Sequence, residues 1–119
     1  MLRPTPIRRL LAGSFVLSLT TPCAAWDAVA YQTKVRVIEV SYMPSFVTFQ
    51  IDKAAGTCAP GAWLTYNAPL PMHSSVSLKE GAVRAVLSAL LAAQAANTAL
   101  NVHLNQTGCI VEYLHLGNQ

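Results

Sequence analysis

Polar and apolar residues alternate with a period of two over residues 34–42 (KVRVIEVSY) and 46–52 (FVTFQID), which predicts two strands. In the first, Val35 and Val37 share one face while Ile38, Val40 and Tyr42 share the other, so a bulge is expected near Val37. In the second, Val47, Phe49 and Ile51 line one side against Thr48 and Gln50, and Met43-Pro44-Ser45 marks the turn between the strands. Residues 53–61 read as a loop and residues 62–67 (AWLTYN) as a short third strand. The period then changes to that of a helix. Val83, Val86, Leu87, Leu90 and Leu91 form one apolar stripe among many alanines, Ser77 and Glu80 match a capping box, and Asn97 fits a left-handed C-cap. Alternation returns over residues 99–105 and 109–116, separated by the turn Gln106-Thr107-Gly108. Residues 26–33 have mixed character and read as an irregular lead-in.

The order strand, strand, strand, helix, strand, strand predicts a mainly β domain with one helix. Its expected form is a five-stranded barrel of the oligonucleotide/oligosaccharide-binding (OB) type, with the helix between strands three and four. The alternative is an open α+β sheet with one covering helix.

Residues 1–25 read as a cleavable signal peptide. Arg3, Arg8 and Arg9 give a basic start, residues 10–19 (LLAGSFVLSL) a short apolar core, and Cys23-Ala24-Ala25 a small-residue exit. Residues 26–119 then form one small domain with no further membrane span, secreted or periplasmic. This division changes the charge picture. The formal +3 comes from the three signal arginines. The remaining Lys34, Arg36, Lys53, Lys79 and Arg84 balance Asp27, Glu39, Asp52, Glu80 and Glu112. A neutral domain without a basic cluster lacks the electrostatic attraction on which nucleic-acid binding rests. Cleavage also removes Cys23 and leaves Cys58 and Cys109, a pair expected to form a disulfide in an oxidising compartment.

With its strands laid out, the chain resembles a class of small secreted bacterial proteins that includes toxin B subunits of the subtilase-cytotoxin type. The resemblance rests on the opening strand pair, the loop Cys58, the Ala/Leu-rich helix over residues 82–96, the strand at 100–105 and the closing Cys109 strand. It implies an OB-type barrel, ring assembly into a homo-oligomer and a glycan ligand. No sugar-contacting residue is carried over, because no matching motif is present.

Little in the sequence points to catalysis: there is no serine-nucleophile motif, phosphate loop or pair of placed carboxylates. The domain is therefore expected to be a non-enzymatic binding module, for a glycan or a protein surface, with no cofactor and no metal. Alternatives are a periplasmic accessory protein pairing through a sheet edge, and a small hydrolase or inhibitor. Candidate ligand contacts are Trp63, Tyr66, Asn101, His103, Asn105 and Tyr113, aromatic, amide and imidazole groups suited to sugar faces and hydroxyls. Trp63 has a competing reading as a core residue, and the polar side of the 99–105 strand one as a solvated face. His103 and His115, on neighbouring strands, could face each other as a metal or acid/base pair. Glu112 on an apolar strand suggests a barrel-mouth position, a salt bridge to Arg36 or Arg84, or an acid with raised pKa.

Overall fold

The computed structural model describes residues 26–117. Residues 1–25, where the sequence leads us to expect a signal peptide, lie outside the described residues. The elements are β1 (Ala28–Thr33), β2 (Val35–Glu39), β3 (Val47–Ile51), β4 (Leu64–Tyr66), α1 (Val76–Ala96), β5 (Leu100–Asn105), a short 3-10 turn (Thr107–Cys109) and β6 (Ile110–Leu116). The fold is mainly β with one helix.

All six strands form one sheet in the order β1-β5-β6-β4-β3-β2. Two corrections follow. First, the lead-in contains a strand, β1, which pairs antiparallel with β5. Second, the hydrogen-bonded ladder is open: β1 and β2 are its two edges, so the closed five-stranded barrel is replaced by a six-stranded open sheet. The sheet is nonetheless rolled. Five spacings of ~4.8 Å would hold the edges of a flat sheet about 24 Å apart. Only Lys34 separates β1 from β2, and two Cα steps span at most about 7.6 Å. The edges therefore converge at this junction. Asp52 fastens it: its carboxylate accepts from Thr33 Oγ1 at 2.8 Å and Lys34 N–H at 2.9 Å, and its own N–H donates to Lys34 O at 3.1 Å. The Lys34 N–H bond is the main reason that the Asp52 carboxyl is held below its ordinary pKa.

The expected alternation of β3 holds, with Val47, Phe49 and Ile51 buried. The irregularity in β2 falls between Val35 and Val37, at Arg36, one residue earlier than the sequence pattern suggests. Ile38 then pairs with Phe49, while Val37 is exposed. The inner side of the sheet, with Val83, Leu90 and Ala93 of α1, makes the core. Leu91 lies outside it and is exposed, so the buried stripe is rotated towards Ala93. The capping box is displaced too. Ser75 is the N-cap, accepting from Leu78 N–H at 3.2 Å. Glu80 lies 3.9 Å from Arg84 one turn on. Asn97 is the left-handed C-cap, as expected, with φ 53°.

The disulfide joins Cys58 to Cys109 with Cα atoms 6.0 Å apart, across 51 residues. A loop of that length is worth about 3–4 kcal/mol in the chain-entropy model. The Gln106 side chain lies against Gly56, whose φ of +58° suits glycine, and accepts from Thr57 N–H at 2.7 Å. Asp27 accepts from Gln106 N–H at 2.9 Å. The start of β1, the 53–61 loop and the β5–β6 turn are thus tied at one end of the sheet. Among the described residues, no helix is long and apolar enough to cross a membrane.

Candidate functional site

β5 is buried on both sides. Leu100, Val102 and Leu104 face the core, as alternation requires. Asn101 and His103 point the other way, yet they are only 0% and 7% exposed. The expectation of a solvated strand face is therefore corrected. Rings cover it. In the β5–β6 register His103 pairs with Tyr113 and Asn101 with His115, placing all four on the outer side. His103 stacks on Tyr113 with centroids 4.3 Å apart and planes 17° from parallel. Trp26, just ahead of β1, meets His103 edge-on at 4.9 Å, and His115 lies 5.3 Å from His103. Tyr113 also contacts His115 at 5.2 Å and Trp26 at 6.4 Å. The result is a half-buried aromatic–imidazole cluster drawn from three segments.

Its polar groups are not matched internally. Neither ring nitrogen of His103 has a hydrogen-bond partner, nor has Nδ1 of His115, although these atoms are buried. Burial, with the nearby His115 as a second cause, pushes the His103 pKa below its ordinary value. His103 is therefore a neutral imidazole at pH 7, with one lone pair and one N–H to offer. No carboxylate bonds either histidine at those nitrogens.

The sequence-derived candidates divide. His103 and Tyr113 lie in the cluster. Asn101 lies beside it, but its Oδ1 accepts from Gln32 N–H at 2.8 Å. It thereby fills the irregular stretch of β1 where Gln32 has φ 52°. Asn105 closes the β5–β6 turn, accepting from Thr107 N–H at 2.9 Å. Trp63 precedes β4 and is 48% exposed, against the core reading, and it makes no ring contact with the cluster. Tyr66 shares the inward face of β4 with Leu64 and is buried, so it cannot present a stacking surface. Burial first, and the nearby Glu112 charge second, raise the pKa of its phenol. Sequence reasoning noted His115 as a partner for His103 but left Trp26 outside any element.

Glu112 sits where the β5–β6 register shifts, between the pairs His103–Tyr113 and Leu104–Val111. It is 6% exposed, and burial raises its pKa. It forms no salt bridge with Arg36 or Arg84. Two clefts lie elsewhere. One of about 280 Å³ is lined by Arg36, Gln50, Ile51, Asp52, Pro60 and Gly61, and there Asp52 is committed to the β1–β2 junction. A smaller apolar one of about 170 Å³ lies between Ala92, Ala93, Ala96, Thr98 and Leu116. Among the described residues, no three His, Cys, Asp or Glu side chains converge to hold a metal ion. Chemically, the ring cluster can bind a planar or hydroxyl-bearing group, and it lacks a charged partner for proton transfer.

Comparison with protein-family models, with curated proteins and with solved structures finds no match to the chain.

Proposed function

We propose that the chain is an exported, non-enzymatic binding module, and that it binds through the outer face of β5 and β6. The observation that carries this reading is His103: a buried imidazole with two unpartnered nitrogens, held between aromatic rings at the sheet surface. A buried polar group without a partner costs about 1–3 kcal/mol, an expense that a ligand's hydroxyl or amide would relieve. Rings beside unmatched donors and acceptors suit a glycan or a polar protein surface. The disulfide fits an oxidising compartment outside the cytosol, secreted or periplasmic, and the balanced charge of residues 26–119 argues against nucleic acid as partner.

The fold reading that accompanies it is an OB-type chain path with an open ladder. If β1 and β2 are two halves of one strand bent at Lys34, the order strand, strand, strand, helix, strand, strand is restored, and barrels of this type are often partly open. The resemblance to the secreted toxin-subunit class, and the ring assembly it implies, are kept as part of this proposal on the sequence pattern alone.

The test is light scattering on the purified protein followed by a glycan array, each repeated with His103→Ala. Binding by wild type that the variant loses is the expected result. If wild type captures no glycan, and proteins of its own compartment do not protect Trp26 and Tyr113 from chemical labelling, the face is not a binding surface. The accessory-protein alternative has its own support in the exposed Val37, Val40 and Tyr42 on the β2 side of the β2–β3 hairpin. Loss of partner capture in Tyr42→Ser, with His103→Ala unaffected, would favour it.

A further inference from the structure

We propose that Trp26 is an acid-released latch: protonation of the His103–His115 imidazole pair lifts its ring from the outer face of β5 while the sheet stays folded. The device adds regulation to the face proposed above as the binding surface. It is a property of the unliganded chain, so it holds or fails separately from that reading.

The closed geometry offers an added proton no partner. His103 is 7% exposed, and both of its nitrogens and Nδ1 of His115 are shut off from water without a hydrogen-bond partner. The groups that face His103 are Val29 across the β1–β5 ladder, Tyr113 and His115 from β6, and the Trp26 ring. None is a carboxylate. Asp27, beside Trp26, is engaged with Gln106 N–H at 2.9 Å. With residues 1–25 removed as expected, the new α-ammonium of Trp26 is a further cation rather than a counter-ion. Burial first, then the charge of His115, holds the His103 pKa below its ordinary value, and no carboxylate charge offsets either effect.

A charged imidazole must therefore reach water, and one cover can yield without breaking the sheet. Tyr113 and His115 stand on β6, which is paired with β5 from Ile110 to Leu116. Trp26 lies ahead of β1, and the first backbone tie after it is Asp27 N–H to Leu104 O at 3.0 Å. Rotation at the Trp26–Asp27 link clears the ring from His103 and leaves every strand pair in place. The sign follows from linkage. The open state protonates His103 near its ordinary value of 6.5, and the closed state only at its lowered value. The latch is therefore shut above about pH 6.5, and between the two values the ratio of closed to open falls about tenfold per pH unit for each proton taken up.

Trp63→Phe leaves Trp26 as the one tryptophan, since the chain has two. Acrylamide quenching of the purified, processed protein in that background, read from about pH 8 to about pH 5 beside far-UV circular dichroism, tests the latch. Accessibility of Trp26 should rise at least about twofold, with a midpoint below about pH 6.5 and an unchanged dichroism spectrum. In His103→Phe the rise should vanish. In His115→Gln the midpoint should move up towards about pH 6.5, because the repelling charge is gone. That shift keeps the test decisive if His103→Phe fails to fold. The proposal is overturned by constant accessibility, by a rise that coincides with loss of the dichroism signal, by a rise that persists in folded His103→Phe, or by a midpoint that does not move up in His115→Gln.

Discussion

Leu100, Val102 and Leu104 on one side of β5, and Asn101 and His103 on the other, are shielded from water by different means. The inner side is covered by the hydrophobic core, which includes Val83, Leu90 and Ala93 of α1. The outer side is covered by single rings from β6 and from the segment before β1, laid around His103, whose two ring nitrogens have no hydrogen-bond partner. Equal burial therefore has opposite meanings. The inner side stabilises the fold; the outer side holds back polar chemistry at some cost to stability.

That contrast can be broken by truncating each side in turn. Leu104→Ala, on the inner face, should cost about 2–5 kcal/mol in urea unfolding, from lost burial and the cavity left behind. Asn101→Ala should cost less, about 1–3 kcal/mol, because it leaves the Gln32 N–H of β1 without its acceptor. Its effect should be local, with early hydrogen exchange in β1. Glu112→Gln should stabilise the protein at pH 7, on the order of 1 kcal/mol, since it removes a charge that burial disfavours. The sign follows from linkage. A carboxyl whose folded pKa is raised contributes stability below its unfolded pKa and loses it as pH rises through the folded value. The Glu112→Gln variant should thus gain least in acid and most at neutral pH.

His103→Phe sharpens the comparison by replacing the unpartnered imidazole of the outer face with an apolar ring. Its stability at pH 7.5 should lie within about 1 kcal/mol of wild type, because an unpartnered polar ring is replaced by one that needs no partner. Its pH dependence should differ. In wild type the folded state resists protonating His103, so stability is present above the unfolded pKa near 6.5 and is lost as pH falls through the lowered folded value. A thermal-melting series from pH 7.5 to 5 should show that loss in wild type and a shallower one in the variant.

The parts of the fold legible in the sequence are those where one residue type had one plausible position. Val47, Phe49 and Ile51 alternate without interruption, Asn97 ends the helix, and Cys58 and Cys109 are the pair left once Cys23 is assigned to the expected signal segment. β1 was hidden because its inward residues are Ala28 and Ala30, small and poor strand formers, whose burial depends on β5 rather than on their own bulk. The N-cap was misplaced because Ser75 and Ser77 both lie within reach of the first turn, and Glu80 suits one of them while lying nearer Arg84 in the fold. In the candidate site, strand alternation and the expected pairing of the last two strands are enough to let His103 and His115 face each other. They could not show Trp26 folding over His103, because that contact depends on β1 pairing with β5. Which of the two candidate contacts Trp63 and Tyr66 faces the core is not legible, because β4 is only three residues long, too short for its phase to be read.

The single-residue junction at Lys34 makes the two rims of the sheet mechanically one piece. Lys34 Nζ reaches Asn97 Oδ1 at the end of α1 at 3.2 Å, and Gln94 of the same helix donates to Arg36 O at 3.0 Å. The clasp that keeps the sheet rolled thus also anchors the end of the helix, and Asp52 is the rivet that holds both rims to it.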